Sequence, residues 1–380
     1  MKIINGKILT MAGRTYENGY VAIKDDKIAA IGDMSELKKE DYGDIFDAEG
    51  GYVLPGFIDA HTHIGVICES IGVAVEFVNE ISAPITASLR VIDGLYPFDF
   101  AFEKAVKAGV TSAVVGPGSA NVIGGQMAAI KLRGERVDDM IIKFPCAMKM
   151  ALGDNPRNTY GKRTAPVSPV TRMGVAAVLR NALMEARDYM ERKERGEHPP
   201  FNANWEALIP VLKGELPVNI HAHRSDDIFT AMRIAKEFHL KLAVVHCTDG
   251  CITAKYMHDE GVPAIVGPTL MSSTKLETIN LSFKTPAAVA KAKVKMAITT
   301  DHDVIPLEYL PVCAAVAVRN GLDPEEALKA ITINAAEIAG IADRVGSLEV
   351  GKDADISVFT GHPFDYTSTT KAVFIDGKLG

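Results

Sequence analysis

"YVLPGFIDAHTH", residues 52–63, is an apolar run that stops on two histidines, His61 and His63. In a strand, side chains alternate between faces, so histidines one residue apart point the same way. Two imidazoles side by side at a strand end are costly to bury unless something uses their nitrogens. Neutral imidazole is among the best zinc ligands. Seven further apolar runs follow along the chain, namely "TSAVVGPG" (111–118), "QMAAIKL" (126–132), "FPCAMKMAL" (144–152), "PVNIHAH" (217–223), "LAVVHCT" (242–248), "PAIVGPT" (263–269) and "KMAITTD" (295–301). Helical patterns separate several of them, notably "DDIFTAMRIAKEFH" (226–239) and "CITAKYMHDEG" (251–261), and "PLEYLPVCAAVAVRNG" (306–321) follows the eighth. Continuous Val, Ile and Ala runs between amphipathic helices predict a parallel sheet covered by helices. Eight such runs predict an α/β fold, a (β/α)8 TIM barrel with insertions. The link from the third run to the fourth, "RGERVDDMIIK" (133–143), leaves little room for a helix. Residues 171–198 read as a long charged helix after the fourth strand, and 202–215 as a second before the fifth.

The chain ends follow another rhythm. Asn5-Gly6 is a type I′ hairpin signal between "KII" and "KILTM". "YVAIKDDKIAAIGD" (20–33) alternates around Asp25-Asp26. The last residues alternate in the same way in "GSLEVGKDADISVFTG" (346–361) and "KAVFIDGKLG" (371–380), with Asp376-Gly377 as a turn. Neither end has enough strands to bury a face alone. Residues 1–50 and 346–380 are therefore expected to form one small β-sandwich domain beside a barrel of residues 51–345.

Composition narrows the function. The 380 residues are 47% hydrophobic and 23% charged, as in a soluble globular enzyme. A net charge of −7 favours neither a nucleic-acid partner nor an anionic membrane. The first twenty residues lack the continuous apolar core of a secretory signal, and no stretch approaches the length of a membrane span. Five cysteines without framework spacing suggest a reducing compartment, with Cys247 and Cys251 as ordinary buried thiols. The expected location is cytoplasmic.

In a barrel, chemistry sits at the C-terminal ends of the strands, and the unusual polar residues of this chain fall there. The first run ends in His61 and His63, the fourth carries Lys149, and the fifth ends in His221 and His223. The sixth ends in His246 and the eighth in Asp301. A single strand-end histidine is more often a hydrogen-bonding residue than a ligand. Such positions on five strands, aimed at one mouth, are accounted for together by one or two divalent ions, zinc first, with manganese, iron or cobalt as alternatives. An ammonium at Lys149 would be repelled by such ions and disfavoured by burial. A neutral amine there can take up carbon dioxide and become an anionic oxygen ligand.

"PGFIDAHTH", "IHAH", "VVHCTD" and "TTDHDV" resemble the motifs of the amidohydrolase superfamily of metal-dependent hydrolases, over essentially the whole chain. The nearest branch is the imidazolonepropionase-like group, which shades into prolidase-like peptidases. "AMKMALG" (147–153) is similar to the prolidase-like segment whose lysine is carboxylated to bridge two metals. The resemblance implies that His61 and His63 bind one ion with Asp301, that His221 and His246 bind a second, and that Lys149 as its carbamate bridges them. Imidazolonepropionase-like enzymes follow the fifth-strand histidine with a carboxylate two residues on, where this chain has His223. They also hold a single ion without the lysine.

The implied reaction is metal-assisted hydrolysis of an amide-type C–N bond in a cyclic amide, N-acyl or dipeptide-like small molecule, with hydroxide formed on the metal. Asp301 would take the water's proton and pass it to the leaving nitrogen, and His246 or His223 would steady the oxyanion. His223 and Arg224 are candidate substrate contacts. Arg157, Lys162 and Arg163 fall near the rim, while Glu69 and Glu76 lie in the loop after the paired histidines. "GPGSANVIGG" (116–125) fits no phosphate-loop pattern and reads as a tight loop lining the mouth. Two other readings stay open: a mononuclear deaminase or ring-opening hydrolase with an unmodified Lys149, and a non-catalytic scaffold that has lost ligands. A homo-oligomer, with a dimer first, fits such barrels.

Overall fold

The computed structural model describes residues 1–38, 44–69, 77–161 and 169–380. Its described strands form two eight-stranded sheets. The first gathers both chain ends: β1 (Lys2–Leu9), β2 (Thr15–Lys24), β3 (Lys27–Asp33), β4 (Ile45–Asp47) and β5 (Tyr52–Pro55) from the start, with β14 (Ile356–Phe359), β15 (Thr370–Ile375) and β16 (Lys378–Leu379) from the end. The order is β16-β15-β14-β5-β1-β2-β3, with β4 parallel to β1. Its apolar face packs Ile3, Ile8, Val21, Val53, Ile356 and Phe374 into one cluster. The Asp25-Asp26 and Asp376-Gly377 turns close hairpins as expected. Asn5-Gly6 does not. β1 runs straight through it, with Asn5 at a φ of 55° and a register irregularity against β2 between Ile3 and Gly6. The residues that favour a tight turn here serve a bulge.

The second sheet is the barrel: β6 (Phe57–Thr62), β7 (Val110–Val115), β8 (Ile123–Lys131), β9 (Ile141–Ala151), β10 (Val218–Ala222), β11 (Leu242–His246), β12 (Ala264–Val266) and β13 (Met296–Ile298), paired in that order. All eight sequence runs are strands. The described helices are α1 (Phe100–Lys107), α2 (Val137–Met140), α3 (Asp154–Tyr160), α4 (Arg172–Glu194), α5 (Ala203–Leu212), α6 (Ser225–Phe238), α7 (Gly250–Asp259), α8 (Thr285–Lys291), α9 (Leu310–Arg319), α10 (Pro324–Ala330) and α11 (Ile333–Ala339). The expectation of an all-parallel sheet needs one correction, because β8 is antiparallel to both β7 and β9. The connections explain it. Residues 116–122 hold no helix, and residues 132–140 hold only the single turn α2. A parallel crossover needs a dozen or more residues.

Alternation along the strands divides the core. Met148, Met150, Val218, Ile220, Val244 and Val266 pack outward with the helices. Ile58, Ala60, Met127, Ala147, Val245, Ile265 and Ala297 fill the barrel, closed at one end by Ala335, Ala336 and Ala339 of α11. Because β8 runs backwards, Lys131 at its end reaches the chain-end sheet. It is buried among Asp353 (2.7 Å), Asp355 (3.0 Å) and Asp376, and Arg344 and Lys27 also hold Asp353.

Candidate active site

β6 and β13 meet at the seam of the barrel without a shared ladder, and buried polar groups join them. Asp59 does most of this. Its carboxylate accepts the His61 N–H (3.0 Å), the Thr300 N–H (2.8 Å) and the Thr300 hydroxyl (2.7 Å). Thr299 Oγ1 donates to the His61 carbonyl and accepts the Asp301 N–H (3.0 Å). The strand carrying the paired histidines and the turn carrying Asp301 are thereby locked together. Burial pushes Asp59 up to about 6, against the hydrogen bonds from Thr300 and His61. Asp59→Ala leaves three buried donors without an acceptor, each worth about 1–3 kcal/mol. A loss of about 3 kcal/mol or more is expected in urea denaturation.

His61, His63 and Asp301 converge. Asp301 Oδ1 lies 3.3 Å from His61 Nε2 and 3.4 Å from His63 Nε2. His63 Nδ1 faces the Gly116 carbonyl at 2.8 Å. A carbonyl only accepts, so Nδ1 carries a proton, and Nε2 is the nitrogen turned to the carboxylate. His246 is arranged alike, with Nδ1 at 2.8 Å from the Gly267 carbonyl and Nε2 left for the site. Strict alternation would send His246 outward with Val244; a φ of 77° there, followed by 53° at Cys247, breaks it. Asp301 is also left-handed, at a φ of 53°. Such backbone in non-glycine residues clusters at functional sites.

His221, His223 and His246 form a second group, with ring centroids 4.3–4.8 Å apart. His223 stacks on His246 and pairs its Nδ1 with Thr248 Oγ1 at 2.8 Å. Lys149 is fully buried and its Nζ lies 3.3 Å from His61 Nε2. Burial lowers its pKa to about 8, with Asp301 opposing. Burial likewise keeps the imidazoles neutral: His61 falls to about 3, helped by the Lys149 charge, His223 to about 4, and His221 and His246 well below the usual value. Burial opposes the Asp301 charge, but His246 and the hydrogen-bonding nitrogens of His61 and His63 hold its carboxyl well below the usual range.

These residues fit a divalent cation. Two sets of three ligand atoms each lie within 4.8 Å of one another, His61–His246–Asp301 and His221–His223–His246. Asp301 Oδ1, His61 Nδ1 and both ring nitrogens of His221 are buried with no hydrogen-bond partner. Buried ligand-type atoms gathered without hydrogen-bond partners are the arrangement a bound cation would satisfy.

The sequence pattern of the amidohydrolase family matches residues 52–380, the barrel and the strands that follow it. The chain is an amidohydrolase. The crystal structure of an amidohydrolase from Thermotoga maritima superposes on it with a TM-score of 0.95 at 40% identity, covering 100% of this chain and 98% of that one. An imidazolonepropionase of Thermoplasma volcanium is 26% identical over 100% of this chain and 98% of its own length. The amidohydrolase tasK of Hapsidospora irregularis is 29% identical over 95% of this chain, which spans only 39% of that longer protein. This amidohydrolase is a hydrolase acting on C–N bonds. No helix among its described residues is long and apolar enough to cross a membrane.

Other expected residues lie outside the cluster. Arg224 is committed to Asp226 through two bonds of 2.9 and 2.6 Å. Arg157 bonds Asn158 and faces Asp154, and Glu69 pairs with Lys104. Lys162, Arg163 and Glu76 lie outside the described residues. Cys247 is buried as expected, but Cys251 is exposed, and all five cysteines are free. Two residues carried no signal in the sequence, Asp59 and Glu277. Glu277 stands in a single 3-10 turn, Leu276–Thr278, between β12 and α8, is 1% exposed, and brings Oε1 to 3.9 Å from His221 Nε2.

Proposed function

We propose that this amidohydrolase cleaves an amide-type C–N bond in a cyclic amide, an N-acyl compound or a dipeptide-like small molecule. The observation that carries the reading is the contact of Asp301 Oδ1 with His63 Nε2 at 3.4 Å and with His61 Nε2 at 3.3 Å. His61, His63 and Asp301 would hold one divalent ion and His221 and His246 a second, with zinc the first expectation. Lys149 would bridge them as its carbamate, since its buried amine gives up a proton more readily than an exposed lysine. Ions so held acidify a water and polarise the substrate carbonyl. Asp301, ionised and beside that position, accepts the water's proton and returns it to the leaving nitrogen. His223, fixed through Thr248, presents its remaining nitrogen to the substrate oxygen, and His246 borders the same space.

A second reading is deamination or hydrolytic ring opening with one ion, and the imidazolonepropionase name of the Thermoplasma relative favours the ring opening. One screen separates them. Enzyme loaded with zinc, manganese or cobalt is offered dipeptides, N-acyl amino acids, lactams, imidazolones and aminopurines. The first reading expects amine release from amides that chelation abolishes and metal restores, with a mass increase at Lys149 equal to one carbon dioxide. Ammonia release, or imidazolone opening by enzyme with an unmodified lysine, would transfer the assignment to the second.

A further inference from the structure

We infer that Glu277 is a positioning residue for His221: it takes the proton on His221 Nε2 and leaves Nδ1 as the metal donor. The assignment rests on the metal site proposed above. His63 and His246 each give their Nδ1 proton to a backbone carbonyl and turn Nε2 inward. His221 has no such carbonyl. Both of its ring nitrogens are buried without a hydrogen-bond partner, and so is Glu277 Oε1, which stands 3.9 Å from His221 Nε2. Less than an ångström separates this approach from a full hydrogen bond. Two buried polar atoms facing each other unpaired cost the fold free energy that their pairing recovers.

The other carboxylate oxygen explains why Glu277 is aimed this way. Oε2 accepts the Asp154 N–H at 2.8 Å and lies 3.7 Å from Arg172 Nη2. Arg172 is itself held by Asp154 at 3.0 Å and Asp227 at 2.9 Å. Gly153 leaves the space: a Cβ there would come within 2.7 Å of Glu277 Oε2. Lys275 Nζ is also 3.9 Å from Oε1, but it already donates to Asn155 at 2.6 Å. Oε2 is therefore anchored, and Oε1 is free to accept. A ligand imidazole that donates its second N–H to a carboxylate is fixed in one tautomer and made more basic. His221 thus binds through the nitrogen opposite to that used by His63 and His246.

The zinc-loaded wild-type crystal structure tests this directly. The expected result is His221 Nδ1 about 2.1 Å from an ion, with Nε2 within about 3.2 Å of Glu277 Oε1. An ion on His221 Nε2 overturns the assignment. In Glu277→Gln, the amide oxygen stays on the Asp154 N–H and the NH2 group turns to His221, forcing the wrong tautomer. Affinity for one ion of the pair should then fall about 10–100-fold, the other holding its value. Affinities within threefold of wild type, at an unchanged melting temperature, also overturn it. A wild-type protein that takes up no ion contradicts the metallohydrolase reading, and this assignment with it.

Discussion

Asp301→Asn is expected to lower kcat about a thousandfold on the best amide found in the screen, with KM changed by less than about threefold. The variant keeps the side chain's size and one oxygen toward His61 and His63. It cannot accept a proton from water or return one to the leaving nitrogen. Positioned general acid–base groups contribute about 10²- to 10⁴-fold, and Asp301 is assigned both halves of the transfer. Because the proton moves only on the way to the transition state, the loss belongs in kcat. Metal content should be measured on the same preparation. A kcat within tenfold of wild type at full metal occupancy would remove Asp301 from the proton path.

A large stability effect is also expected far from the chemistry, in Lys131→Met. Lys131 is 5% exposed and answers three carboxylates at the junction of the barrel with the chain-end sheet. Its own burial opposes the charge, yet the carboxylates, Asp355 foremost, hold its pKa above the ordinary lysine value. Asp353 is likewise held below its usual range by Lys131 and Lys27 against its burial. Removing one partner of a buried ion pair costs about 3–5 kcal/mol, and that loss is expected in denaturant melts at pH 8. The effect should depend on pH. Burial raises Asp355 to about 6 even beside Lys131, so its ionisation already opposes folding as pH rises from 3.8 through 6. Without the lysine that pKa climbs further, and the penalty extends above pH 7. Near pH 5 Asp355 is mostly protonated in either protein, so the deficit should shrink there. An equal deficit at pH 5 and pH 8 would mean that lost packing rather than lost charge is responsible.

The strand-end residues were legible because a barrel converts a one-dimensional pattern into a ring. His61, His221 and Asp301 each close a hydrophobic run and Lys149 sits near the end of another, and parallel strands bring such ends together. Some of the geometry had no such signal. The reversal of β8 leaves its apolar run unchanged, since parallel and antiparallel strands bury alike; only the short connections at 116–122 and 132–140 betray it. Asn5-Gly6 carries the residues of a hairpin turn, and a bulge uses the same positive φ. His246 sits on the outward phase of β11, and only its left-handed backbone turns it to the site. Asp59 is hidden inside the strand that the paired histidines mark. Glu277 comes from a single 3-10 turn, too short for any periodicity to say which way a side chain points. Arg224, beside two histidines in sequence, pairs with Asp226 in the first turn of α6.

Whether these side chains hold a pair of divalent ions is decided by metal content per chain, measured by mass spectrometry on protein purified without chelator or added metal. Two ions per chain are expected. A single ion would contradict the Lys149-bridged pair, and none, even after reconstitution with zinc or manganese, would contradict the metal site itself.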